Sequence, residues 1–67
     1  MYFVVLKIYD INGREIINLL ESYKSSGEYR INWNGKNEKG IPVAGGLYFY
    51  SIRSGEFRET KKMIFLK

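Results

Sequence analysis

The sequence predicts a small domain built on β-strands, and three stretches carry that prediction. Residues 2–9, YFVVLKIY, are β-branched and aromatic and alternate in side: Val4, Leu6 and Ile8 share one face, Val5, Lys7 and Tyr9 the other. Tyr29, Ile31 and Trp33 alternate with Glu28, Arg30 and Asn32, which reads as a half-buried strand. Two further runs flank Ser54-Gly55 and read as a hairpin with a tight turn there.

Taken in order, the first strand ends at DING, residues 10–13. Asp bonds its own backbone two residues on, and Gly accepts a positive φ, so this is a turn. Residues 14–24, REIINLLESYK, are ambiguous. Ile16, Leu19, Leu20 and Tyr23 fit a helical stripe, and Asn12 with Glu15 resembles a capping box, so periodicity alone favours helix over strand. Ser25-Ser26-Gly27 interrupts the chain before the Trp33 strand. A long polar connection rich in Asn, Gly and Lys follows, and then Leu47 to Arg53 reads as a strand. Tyr48, Tyr50 and Ile52 lie on one of its faces and Leu47, Phe49, Ser51 and Arg53 on the other. The return strand runs from Phe57 to Leu66, charged in its first half.

The chain has 67 residues, room for a single domain spanning 1–67. A core this small needs help, and without Cys there is no disulfide to give it. The aromatics, 16% of the chain, are the available substitute, because each brings a large buried area. Cys and His are both absent, which removes thiolate metal sites and the commonest general base. The net charge of +4 suits an anionic partner but is also ordinary for a soluble domain. No leader peptide and no membrane-length apolar run is visible, so an export signal is expected upstream or in another form.

The motifs LKIYDINGREI (6–16), GEYRINWNGKNEKGIPVAGGLYFYSI (27–52) and TKKMIFLK (60–67) stand in one order with fixed gaps. Together they resemble the C-terminal immunoglobulin-like domain of large secreted bacterial proteins. That module is known as the type IX secretion C-terminal sorting domain and as the Ig-like domain of the flagellar hook-capping protein. The resemblance implies an all-β fold, a small immunoglobulin-like β-sandwich of about five to six antiparallel strands. Under it, residues 14–20 become a second strand, paired with the first through DING. Asn34 and Gly45 depart mildly from the family, which usually has Asp and Ser or Thr there. The Asn-Pro-rich segment and first strand that open the family are missing before Tyr2. The expectation is therefore a fragment or terminal module of a larger secreted protein, or a chain that borrows a strand.

On this reading Val4, Leu6, Ile8, Ile31, Trp33, Tyr48, Tyr50 and Ile52 form the structural core, with Met63 beside them, and Gly13, Gly35, Gly40 and Gly46 serve turns. The connection around Asn32, Asn34, Asn37, Glu38 and Gly40 offers one carboxylate where a calcium loop wants several, so a turn is expected and no metal or cofactor. Asp10 is the sole Asp, the six Glu are scattered, and Ser22, Ser25, Ser26, Ser51 and Ser54 have no His to activate them. A non-enzyme follows.

The function expected by resemblance is a non-catalytic module of a bacterial cell-surface or extracellular protein. It would act as a sorting signal for secretion machinery or as a structural adaptor, with Thr60, Lys61, Lys62, Met63 and Lys67 as its recognition surface. One rival is self-assembly into a homo-oligomer through an open sheet edge. A weaker rival is a nucleic-acid-binding β-module, with Arg53, Arg58, Lys61, Lys62 and Lys67 on a basic hairpin; the missing Lys or Arg before the first Gly of GGLYFYSI speaks against it.

Overall fold

The computed structural model describes residues 2–25 and 30–66. Four strands form one antiparallel sheet: β1 (Tyr2–Tyr9), β2 (Glu15–Lys24), β3 (Gly46–Ser54) and β4 (Phe57–Phe65). Their order is β2-β1-β3-β4, so β1 and β3 are central and β2 and β4 are edges. The all-β expectation holds in this form. The described residues make four strands rather than five or six, and one open sheet rather than two facing ones.

The β1–β2 connection is a three-residue hairpin loop. Gly13 N–H donates to the Asp10 carbonyl at 3.0 Å, and Asp10 N–H donates to Arg14 at 3.0 Å. Asp10 Oδ1 accepts from the Asn12 and Arg14 amides, both at 2.9 Å, which fixes the turn. β2 is then a strand, as the family resemblance required and the helical stripe did not. Two register shifts against β1 explain the conflict. Leu6 faces Leu20, Lys7 faces Asn18, Ile8 faces Ile17 and Tyr9 faces Glu15, so Leu19 and Ile16 are extra residues at bulges. Each bulge breaks the two-residue alternation and leaves a spacing that mimics a helix.

β3 and β4 join through Gly55-Glu56. Gly55 takes φ 60° while Glu56 stays at negative φ, the pattern of a type II′ turn, which matches strand twist. The hairpin at this position was expected; the turn is centred one residue beyond Ser54-Gly55.

One face of the sheet carries Leu6, Ile8, Tyr48, Tyr50, Ile52 and Met63, and residues 30–45 cross over part of it. No strand stands in residues 30–34, so the strand expected around Ile31 and Trp33 does not form in its described part; Tyr29 lies outside the described residues. Trp33 nevertheless packs inward, edge-on to Tyr48 (5.3 Å between ring centres) and tilted on Phe65 (4.9 Å). Its Nε1–H donates to the Lys36 carbonyl at 2.9 Å. Ile31, expected in the core, is exposed, because a single segment crosses here and, among the described residues, no second layer packs outside it.

The buried apolar side chains among the described residues are Val5, Leu6, Ile8 and Tyr48. Val4, Trp33, Tyr50, Ile52 and Met63 are half-buried. Val5 was expected on the solvent face and does lie there. It shares a shallow pocket with Lys7, Arg53 and Arg58, whose long stems are of the kind that shields apolar surface.

Candidate functional site

Beyond Trp33 the connection folds into a small hairpin of its own. Lys36 and Pro42 pair across it, and Val43 N–H donates to the Gly35 carbonyl at 2.9 Å. Asn34 Oδ1 accepts from the Lys36 amide, and Asn37 Oδ1 from the amides of Lys39 and Ile41. These asparagine oxygens are thus engaged by the chain's own backbone. Glu38 reaches the outer edge of β2: its N–H donates to Ile16, and its Oε1 accepts from the Asn18 amide at 2.7 Å. The connection therefore covers part of the β2 edge.

β4 has no such cover: among the described residues it pairs only with β3. Ser54 and Phe57 flank a two-residue turn and exchange hydrogen bonds, so Phe57, Glu59, Lys61 and Met63 turn their backbone groups toward β3. Arg58, Thr60, Lys62 and Ile64 turn theirs outward. The proposed recognition surface maps onto this strand and is split by it. Thr60 and Lys62 lie on the solvated face with Arg53 and Arg58. Lys61 and Met63 lie on the other, opposite Tyr50 and Tyr48, and Lys61 pairs with Glu59 at 3.7 Å. Lys67 lies outside the described residues.

The solvated face is polarised. Toward β2 its charges are matched: Lys7 meets Glu15 at 3.1 Å, and Glu21 accepts from Asn18 Nδ2 at 3.1 Å. The Glu15 hydrogen bond and charge hold the Lys7 ammonium above its ordinary range. Toward β4 they are not. Arg53 and Arg58 face each other directly across the β3–β4 ladder, and together with Lys7, Ser51 and Tyr9 they line a shallow pocket of about 170 Å³. The ion pairs among the described residues involve neither arginine nor Lys62.

Tyr48 supplies a feature that the sequence reading missed. Its hydroxyl donates to the Ala44 carbonyl four residues upstream, pinning the connection where it enters β3. Immunoglobulin sandwiches close a corner with the same kind of bond. The FlgD Ig-like domain model matches residues 2–56. The chain belongs to the FlgD Ig-like domain family. The match runs from β1 through β3 and stops at Glu56, one residue before β4. FlgD-like domains belong to flagellar, surface-associated proteins, and an Ig-like domain of this kind suggests protein interactions. Nothing among curated proteins or solved structures matches the chain. No helix among the described residues is long and apolar enough to cross a membrane.

Proposed function

We propose that this FlgD-like chain is a non-catalytic binding module of an extracellular or surface-exposed bacterial protein, a structural adaptor of the hook-capping type. The observation that carries the reading is the family match across β1, the crossing segment and β3. The side chains support it. Asp10 is committed to its turn, and neither Cys nor His is present to act as nucleophile or base. The segment 30–45, pinned by Trp33 and Tyr48, serves as the reduced second layer of an Ig-like sandwich. The test is co-sedimentation with purified flagellar hook filaments. The adaptor reading expects the chain in the pellet at a saturable ratio; a chain left wholly in the supernatant contradicts it.

A second reading rests on β4, whose exposed Thr60, Lys61 and Lys62 occupy an edge that no other strand among the described residues pairs. There the module would be a sorting signal read by the type IX secretion apparatus. A reporter fused ahead of the chain would then be exported only by cells that hold that apparatus.

A further inference from the structure

We infer that the open edge of β4 is a docking site for an extended acidic segment of a partner protein, which adds to the sheet as a fifth strand. The inference rests on the binding-module reading above and supplies the partner's chemistry. It concerns a strand that the family match does not reach.

The outward N–H and C=O groups of Arg58, Thr60, Lys62 and Ile64 are a ready ladder for another strand. The side chains of the same residues project onto the solvated face, where Arg58 and Lys62 are exposed and lack an ion-pair partner among the described residues. Arg53 lies one strand behind Arg58, directly opposite it. Like charges placed directly opposite across a ladder are unfavourable. A carboxylate on an added strand, beside Arg58, relieves that repulsion and accepts charge-assisted hydrogen bonds. The other face of the edge offers Phe57 and Met63 at its two ends, with Glu59 and Lys61 paired to each other between them, so the partner's residues over those ends are apolar. The segment expected is thus an alternation of acidic and apolar residues.

A second copy of this chain fits less well. In the two-fold antiparallel pairing centred on Thr60, Arg58 of each copy meets Lys62 of the other. β2 does carry acids on its solvated side, Glu15 and Glu21, but Glu38 already holds part of its outer edge. Nucleic acid would use the cations without needing the backbone ladder.

The test titrates the full chain with a short peptide of alternating Glu and Val. The comparison ligands are the same peptide with Lys for Glu, and oligothymidylate of equal length. Arg58→Glu should weaken the acidic peptide at least about tenfold, the scale of losing a close charge pair. Lys39→Glu, an equal charge change on the crossing segment, should leave it nearly unchanged. Thr60→Pro removes an outward N–H, which an edge strand tolerates, and should also abolish binding. Thermal melts confirm that each variant is folded, and if Thr60→Pro is not, the Arg58→Glu and Lys39→Glu pair decides.

Equal binding of the acidic and basic peptides, or binding unmoved by Arg58→Glu, overturns the inference. So does tighter binding of oligothymidylate, or a dimer that excludes the peptide. Hook filaments that bind wild type and Arg58→Glu equally would sink this edge assignment and leave the adaptor reading standing. Charge-dependent peptide binding without filament binding would do the reverse.

Discussion

Three aromatic residues and one glycine hold the crossing segment to the sheet. Gly35 has φ 75°, and a β-carbon there would stand well inside van der Waals contact with Phe65 Cζ, the tip of the ring. Gly35→Ala therefore combines left-handed strain with overpacking and should cost about 2 kcal/mol or more by denaturant unfolding. In a Phe65→Ala background the same substitution should cost clearly less, because only the backbone term remains. Trp33→Ala removes two ring contacts and one hydrogen bond and should cost about 2–3 kcal/mol, below a fully buried aromatic because Trp33 is half-buried. Asp10 adds a pH dependence. Its carboxyl is held below the usual range chiefly by the Arg14 amide, against some desolvation, with help from Asn12 and the Arg14 side chain. A depressed carboxylate stabilises the folded chain above its unfolded pKa of about 4, and that contribution is lost as pH falls through the lower folded value. Asp10→Asn should melt below wild type at neutral pH, and the gap should narrow as pH falls below about 4.

At the scale of elements, the legible parts were those with unbroken alternation. β1 and β3 announced themselves by alternation and keep register with each other throughout, while β4 showed itself through the turn before it and the apolar run at its end. β2 did not, since the bulges at Ile16 and Leu19 convert a period of two into something near a helical turn; only the family resemblance read it correctly. Ile31 failed in the opposite sense. It alternates like a strand residue but sits in a segment that crosses the sheet without pairing. The Glu38 clamp on β2 was invisible to any local pattern, as it joins residues twenty apart. Glu38→Ala should free that edge, and the Asn18 amide should then exchange with solvent markedly faster while the β1–β3 amides hold their protection.

For the molecule as a whole, one sheet half-covered by one segment buries little. An apolar groove of about 490 Å³ remains between Leu6, Ile8, Trp33 and Ile52, and such large side chains as Phe57, Ile64 and Leu66 stay exposed. A domain so thinly covered is suited to being held by another protein, which agrees with a family of surface-associated modules. The residues expected to form a recognition surface fall on β4, and their division between its two faces depends on register, which the residue string does not state. The most direct test is residue-resolved hydrogen exchange on the chain, alone and with hook filaments. The account predicts fast exchange at Arg58, Thr60 and Lys62 in the free chain, slow exchange at Glu59 and Lys61, and slowing of the first three on binding. Amides of Arg58, Thr60 and Lys62 already protected in isolation, or still fast in a chain bound to filaments, would contradict it.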